Sequence, residues 1–534
     1  MNHRIKNPIN TNIPPSESIS HKIIRNTIFN ILGKFWGILV ALILTPYIIH
    51  HIGLERYGIW AIVGVITGYF GLLDFGVGTS FVKYISEYYA KKDNERINQV
   101  INTGFVFYSI FAGFIITLGF IVINPLLAFF KIPSSLYNEA LFVFLLGIIL
   151  FCISNALSPF AAIQTGLQRM DITNKVAIAI SIPMIIGTIF FLEAGYGLPG
   201  LMINNAIVIV VRSVVNIAIA FKILPELKFS LLLLNWKILK RLFSFGIKLQ
   251  VDKIGGIFIF QTDKLLISHF LNVGLVAFYQ LGSLIINNAR AFPLLLVTAI
   301  MPAASEINAK EDKKKLHQLY IMGTKYLIFV GVPLLTFIFF TASSIMLIWM
   351  GEGYEKSVLV IQILVPCFLI NFLTGVGSSV ALGMGNPEFQ MRAGLLQAVL
   401  NIILSVVLVI KIGFLGVVIA TLISLSLGSI YFMILFHRNL NYSLFSFLRK
   451  TFFVPVLTSF LVGSILGLVR SIYTSDGLSN RLTGFGVLGL EGIAFMILYL
   501  SIILKTNYLD EYDKSIFKKL FFEMTKRFKK RNAE

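Results

Sequence analysis

Fourteen long apolar stretches dominate this chain of 534 residues. They cover approximately 24–49, 58–78, 101–123, 139–163, 176–194, 199–221, 245–270, 275–300, 322–349, 357–383, 393–410, 412–436, 452–470 and 484–504. A helix of about 20 residues crosses a hydrocarbon layer about 30 Å thick, and each stretch reaches or approaches that length. Lipid offers no hydrogen bonds, so each stretch must satisfy its own backbone, and a helix does this. Composition agrees. Charged residues make up 13% and hydrophobic ones 57%, where a soluble domain carries about 25% charged residues. The predicted fold class is therefore all-α: a polytopic membrane protein with about 14 transmembrane helices.

A formal charge of +20 would suggest nucleic acid in a soluble chain. Here the cations sit in short loops between apolar runs, so no nucleic-acid partner is expected. With the N-terminus inside, and residues near a span end counted with the adjoining loop, 34 lysines and arginines fall on the cytoplasmic side, 6 outside and 5 deep within spans. Much of the bias comes from Lys91 and Lys92, from Lys237, Lys240 and Arg241, from Lys313 to Lys315, and from Arg449 and Lys450. Both termini are accordingly expected in the cytoplasm. The segment 1–22 is polar and precedes a run long enough to span, so no cleavable signal is read. Cys152 and Cys367 lie within apolar stretches and suggest neither a disulfide framework nor a metal cluster.

An internal repeat is visible. Ser86-Glu87-Tyr88-Tyr89-Ala90-Lys91-Lys92-Asp93 resembles Ser305-Glu306-Ile307-Asn308-Ala309-Lys310-Glu311-Asp312, 219 positions later. The same offset carries Gln99 to Gln318, Gly104 to Gly323 and Gly166 to Gly385. Spans 1–6 then correspond to spans 7–12, and six spans per unit give both units one orientation, related by an axis along the membrane normal. The expected organisation is a cytoplasmic polar tail (1–22), an N-terminal lobe (23–222) and a cytoplasmic linker (223–244). A C-terminal lobe (245–437), spans 13 and 14 (438–504) and a basic cytoplasmic tail (505–534) follow. In that last tail Phe517, Leu520, Phe521, Met524 and Phe528 share one helical face. This fits a helix lying on anionic lipid, and also a solvated charged segment.

The seventh stretch holds the densest polar signal. A tetrad occurs twice, as Gln250-Val251-Asp252-Lys253 and Gln261-Thr262-Asp263-Lys264. Their spacing is three helical turns, which predicts a charged stripe about 16 Å long on one face. A charge at mid-bilayer costs at least about 2.5–3.5 kcal/mol, so the stripe is expected to line a cavity; the bland alternative is that each Asp neutralises a neighbouring Lys in a packed bundle. Lys34 in span 1 lies 219 positions before Lys253, which would place the two cations at equivalent positions of the two lobes. Arg290, flanked by Asn287 and Asn288, is another deep cation, and Lys248 lies a turn from Asp252. Arg212 in span 6 is a further mid-span cation on a helix expected to be peripheral.

The expected cavity is net cationic, with Lys34, Lys248, Lys253, Lys264 and Arg290 outnumbering Asp252 and Asp263. A desolvated cationic cleft suits an anionic cargo, and phosphate or pyrophosphate suits lysine and arginine. Asn30, Gln250, Gln261, Asn287 and Asn288 would bond sugar hydroxyls. Asp252, Asp263 and Asp74 are the carboxylates available for ion coupling, with turn capping the equal alternative for Asp74. No catalytic constellation, nucleotide loop, metal motif or cofactor motif stands out, and the expectation is not an enzyme.

Further strings carry a family resemblance. They are Asn26-Thr27 with Gly33-Lys34, Gly53-Leu54-Glu55-Arg56-Tyr57-Gly58-Ile59-Trp60, and Leu73-Asp74-Phe75-Gly76-Val77-Gly78. With them go Gln261-Thr262-Asp263-Lys264, Val276-Ala277-Phe278-Tyr279 and Ala381-Leu382-Gly383-Met384-Gly385-Asn386-Pro387. Over nearly its whole length the chain resembles the bacterial polysaccharide-biosynthesis flippases (Wzx type) of the multidrug/oligosaccharidyl-lipid/polysaccharide exporter superfamily. The resemblance implies two six-helix lobes around a V-shaped central cavity, in the bacterial inner (cytoplasmic) membrane. It implies alternating-access movement of an undecaprenyl-pyrophosphate-linked oligosaccharide, a unit of O-antigen, capsule or exopolysaccharide, from the cytoplasmic to the outer leaflet. The implied energy source is an H+ or Na+ gradient or the membrane potential, with no other cofactor. The implied partners are the lipid-linked glycan, membrane lipids, and a polysaccharide polymerase and chain-length regulator. Basic cavity residues are a family feature, and Lys34, Lys253 and Arg290 are their counterparts here. Fourteen spans are also typical of the related lipid II flippases, which leaves that cargo as the alternative. A cation-coupled multidrug exporter of the same fold calls for an acidic cavity.

Overall fold

The computed structural model describes residues 19–472, 481–506, 508–511, 513 and 515. The side chains of 19–25, 27, 28, 231, 248–260 and 472 lie outside that description. The described residues form helices and no strand. In order these are α1 (Ile19–Phe70), α2 (Val77–Ala90), α3 (Asn94–Phe129), α4 (Tyr137–Ala156), α5 (Ser158–Gly166), α6 (Met170–Glu193) and α7 (Gly197–Ile223). Next come α8 (Trp236–Phe270), α9 (Val273–Leu294), α10 (Ile300–Ala309), α11 (Lys313–Met350), α12 (Glu355–Gly383), α13 (Glu388–Ile412) and α14 (Phe414–Leu440). The last are α15 (Leu444–Thr451), α16 (Phe453–Ile472) and α17 (Arg481–Lys505).

Twelve stretches of the described residues are long and apolar enough to cross a membrane. The first, Phe29–Asp74, takes in both of the first two expected spans, and α8 carries the seventh. The chain is an all-helical, multi-pass membrane protein. Two expected boundaries change. The first two spans run on as α1, broken at Gly53, whose φ of 79° leaves the helical region. Glycine populates positive φ without the penalty a Cβ brings. The run 139–163 is divided instead, because α4 ends at Ala156 and Ser158-Pro159 opens α5. Proline lacks the N–H that a helix interior needs but fits a first turn.

The repeat is present in the turns. Near the ends of α2 and α10, Glu87–Lys91 and Glu306–Lys310 pair one helical turn apart, both at 2.6 Å. Lys92 and Glu311 then take left-handed φ values of 56° and 55°. Asp93 and Asp312 cap the next helix, accepting from the backbone N–H groups of Arg96 (3.1 Å) and Lys315 (3.0 Å). This is one turn built twice, at the offset that relates the two sequence strings. Further along the offset drifts. The left-handed turns at Lys131 and Gly351, at Gln168 and Gly385, and at Gly195 and Gly413 each miss it by a position or two. The matching of Gly166 to Gly385 is thus corrected: Gly166 ends α5, and the residue that ends α12 is Gly383. Loops absorb such insertions because they carry few packing contacts.

The chain forms two compact units. One comprises Met1–Tyr47, Leu73–Ile121 and Phe142–Leu249, the other Ile48–Leu72, Val122–Leu141 and Gln250–Glu534. Within the first, the segment after α7 is tied to α3 by side-chain amides. Asn98 and Asn102 accept from the N–H groups of Lys228 (2.6 Å) and Ser230 (2.9 Å). They donate to the carbonyls of Glu226 (3.0 Å) and Lys228 (2.7 Å). An irregular backbone thereby gains the partners that a helix would have supplied. Within the second unit α9, α12 and α14 pack together, α13 lies on α14, and α16 and α17 lie on α11. Beyond α17 the chain returns to α11. The Tyr508 hydroxyl donates to the carbonyls of Lys325 (3.1 Å) and Thr451 (3.0 Å). Asp513, fully buried, pairs with the Lys325 ammonium and accepts from Tyr326 (2.7 Å). The residues read as an amphipathic tail helix, Phe517 to Phe528, lie outside the described residues.

Candidate functional site

The second tetrad occupies one turn of α8 in the second unit. Successive residues on a helix point about 100° apart, so its four side chains face four ways. Gln261 and Lys264, three apart, share a face and line a cavity of about 300 Å³. The Thr262 hydroxyl meets that of Tyr69, from the part of α1 after Gly53, at 2.8 Å. Asp263 turns away from the cavity. It is completely buried and accepts from the hydroxyls of Tyr279 on α9 and Thr421 on α14, with Ser405 of α13 at 3.5 Å. The expectation of a single charged stripe along a cavity is corrected here. The lysine and glutamine face the space, and the aspartate is held in a cage of hydroxyls. Hydrogen bonds are what make a buried carboxylate tolerable.

Lys264 is itself 8% exposed, and its ammonium donates to Gln261 Oε1 at 2.8 Å. Its partner is a neutral amide, while the adjacent Asp263 commits its oxygens to hydroxyls. The opposite wall comes from α1, whose Tyr57 and Trp60 line the cavity. A Cβ on Gly58 would sit 2.0 Å from the Val273 carbonyl oxygen, so only glycine lets this wall close on the start of α9. From α9 comes Gln280, whose Oε1 is buried without a hydrogen-bond partner. Tyr57, Trp60 and Gln280 are absent from the sequence candidates. A signal for Gln280 exists: it is an amide in an apolar run, where polar groups are costly unless used.

The other candidates are placed elsewhere. Arg290, on α9 beyond Gln280, donates to Asn371 Oδ1 (3.3 Å) and sits 4.3 Å from the centroid of the Phe368 ring. Asn287 is exposed and Asn288 half-buried. Lys34 and Asn30 belong to the first unit. There Lys34 is exposed, and Asn30 accepts from Asn174 of α6 at 2.9 Å. Arg212 is exposed on α7. Asp74 ends a 3₁₀ turn, accepting from the Gly76 N–H (2.7 Å) and the Tyr108 hydroxyl (2.9 Å). Lys248, Gln250, Asp252 and Lys253 lie on α8, and their side chains fall outside the described residues. Among the described residues no three His, Cys, Asp or Glu side chains are grouped to hold a metal ion.

The helices and the buried cation define a polytopic membrane protein with a polar cavity inside one bundle. The chain belongs to the polysaccharide biosynthesis protein family, whose model matches residues 23–308. A second family model, MatE, matches residues 254–407. A protein of Shigella flexneri named "Putative O-antigen transporter" is 23% identical over 422 residues, 78% of this chain and 98% of that one. A Haloferax volcanii protein named "Probable low-salt glycan biosynthesis flippase Agl15" is 22% identical over 39% of this chain and 44% of its own length. Among solved structures, lipid II flippase MurJ in an inward closed conformation matches 90% of this chain and 99% of its own, with TM-score 0.67 and 16% identity. An inward-facing MATE multidrug transporter covers 78% and 94%, with TM-score 0.63 and 15% identity. These structural likenesses establish the shared fold. The family is one of transporters and not of enzymes.

Proposed function

We propose that the protein is a flippase for undecaprenyl-pyrophosphate-linked oligosaccharide, moving the headgroup from the cytoplasmic to the outer leaflet of a bacterial inner membrane. The observation that carries the reading is Lys264: a buried ammonium, hydrogen-bonded to a neutral amide, on the wall of a polar cavity in a membrane protein. Attraction to an anion grows as water is excluded, so pyrophosphate is the natural counter-charge. The polyprenyl tail needs no carrier and stays in lipid. The names of the Shigella and Haloferax relatives favour a lipid-linked glycan as cargo. Alternating access, with the site opened to one side at a time, is the proposed cycle. Asp263 is the proposed coupling group, taking H+ or Na+ among the Thr421 and Ser405 hydroxyls and the buried, unpartnered Oδ1 of Asn401.

The test is headgroup translocation in proteoliposomes by wild type, Lys264→Gln and Lys264→Arg. Wild-type activity, a loss of at least about tenfold in the Gln variant, and partial retention in the Arg variant are expected. Equal rates in all three remove Lys264 from the site. Movement of lipid II in preference to a repeat-unit lipid, with rescue of cells depleted of their own lipid II flippase, would reassign the cargo.

A further inference from the structure

Between α7 and α8 the chain runs Lys228-Phe229-Ser230-Leu231-Leu232-Leu233-Leu234-Asn235-Trp236-Lys237. A leucine-rich loop is expected to turn inward, yet Leu232 is 95% and Trp236 77% exposed, with Phe229 and Leu234 exposed beside them. The backbone holds them there. Besides the ties to Asn98 and Asn102, the Asn235 N–H donates to Thr103 Oγ1 (3.0 Å) and its amide to Gln99 Oε1 (3.1 Å). Asn235 Oδ1 then accepts from the Lys237 N–H (3.0 Å) as α8 begins. The first turns of α8 have two faces. Ile238 and Leu242 are buried, while Trp236, Lys237 and Lys240 are exposed. The ammonium groups of Lys228, Lys237 and Lys240 meet no carboxylate among the described residues. The ties also set the depth. Asn98 to Thr103 stand where the apolar run 101–123 of α3 begins, and Phe229 packs edge-on against Phe105 of that run, with centroids 4.9 Å apart. The segment therefore lies where α3 and α7 meet a membrane surface, the zone that favours tryptophan and lysine.

We infer that residues 228–240 anchor the protein to anionic phospholipid, in the leaflet where α7 ends. Phe229, Leu232, Leu234 and Trp236 enter the boundary between headgroups and acyl chains, and Lys228, Lys237 and Lys240 hold lipid phosphates. An apolar row beside unpaired cations matches that boundary. Charge selects the occupant. Water would leave the apolar row uncovered. The chain's own tail, 516–534, is basic as well and would set like charges together. An anionic lipid covers the leucines and neutralises the lysines at once. Because the segment is hydrogen-bonded to α3 at both of its ends, the anchor fixes the start of α8 at the membrane surface. It acts on the surrounding lipid and not on the cargo, so it stands whether or not that cargo is a glycan.

The experiment attaches a nitroxide to Leu232→Cys in the full chain, where Cys152 and Cys367 are buried and add little background. The protein is placed in vesicles of phosphatidylcholine alone or mixed equally with phosphatidylglycerol. Collisions with oxygen and with a water-soluble nickel chelate report the depth of the label. Oxygen contact exceeding nickel contact, and more so in the mixed vesicles, is the expected result. In detergent, phosphatidylglycerol is titrated while the thermal unfolding midpoint is followed. Its half-saturating concentration should rise about fivefold for each of Lys237→Gln and Lys240→Gln. Lys237→Arg and Lys240→Arg, which keep the charge, should bind as wild type does. Nickel contact dominating in both vesicles would put Leu232 in water, overturn the anchor and leave this face to a protein partner. Half-saturation unchanged in both Gln variants would overturn the assignment of lipid phosphate to these lysines.

Discussion

A single turn of α8 shows how a membrane helix places four polar residues at once. Lys264 gains a cavity-facing position because Asp263, one residue earlier, is rotated into the helix cluster and satisfied there. Had both faced the cavity, the ion pair would have cancelled the charge an anion needs. The arrangement makes two predictions. Tyr279→Phe deletes a donor to a buried carboxylate, and hydrogen bonds to charged groups are worth about 1.5–3 kcal/mol. A loss of that size is expected in the unfolding free energy of the purified protein, with headgroup affinity little changed. Asp263→Asn keeps the volume but removes the charge. Its transport should lose its dependence on the imposed H+ or Na+ gradient; a dependence equal to wild type would take coupling away from this residue. In the sequence the tetrad stands out as polar residues in an apolar run. Which member faces which way depends on where α9, α13 and α14 lie, and no local spacing encodes that. Trp60 and Gln280 escape notice for the same reason. They become a site only when α1 and α9 meet.

At the scale of elements, breaks matter more than helices. Gly53 divides α1 and Gly58 lets its second part close on α9, so the aromatic wall depends on two nearby glycines. The C-terminal segment is a second case. Burial pushes the Asp513 carboxyl up, and the Lys325 ammonium and Tyr326 hydroxyl outweigh that and hold it below its ordinary value. A depressed carboxylate contributes stability above its unfolded pKa of about 3.9, and the contribution is lost as pH falls through the lower folded value. The segment should therefore stay docked on α11 at neutral and mildly acid pH and release only below about pH 4. Lys325→Met should release it at neutral pH. Breaking one side of a buried pair costs about 3–5 kcal/mol because the other charge is left stranded. Limited proteolysis near Lys514 reads both effects; a variant as resistant as wild type would show that the Tyr508 contacts alone hold the segment. This pairing joins residues far apart along the chain and leaves no pattern in the sequence.

For the whole molecule the legible part is what the bilayer dictates. Hydrocarbon thickness sets the minimum span length, so every apolar run lies mainly on helix, while several helices extend past their runs, α11 beginning at Lys313, nine residues before the run 322–349. The repeat is legible at the turn after Glu87 and Glu306 because two ion pairs and two capping carboxylates recur there together. It is obscured at Gly385, because loop insertions shift an offset that the helices themselves conserve. Orientation follows from a different physics, the cost of carrying lysine and arginine across the membrane. That bias predicts Lys92 and Lys314 inside and Lys356 outside. Lys92→Cys and Lys314→Cys should react with a membrane-impermeant maleimide only after cells are permeabilised, and Lys356→Cys should react in intact cells. Cys152 and Cys367 are both buried and give little background. The turn shared by Lys92 and Glu311 makes the outcome stringent. Two repeats of six spans must place these equivalent turns on one side of the membrane. Labelling of Lys92→Cys and Lys314→Cys from opposite sides would refute parallel repeats, whichever way the termini point. Labelling of both from outside would keep the repeats and reverse the orientation, and with it the direction proposed for the cargo.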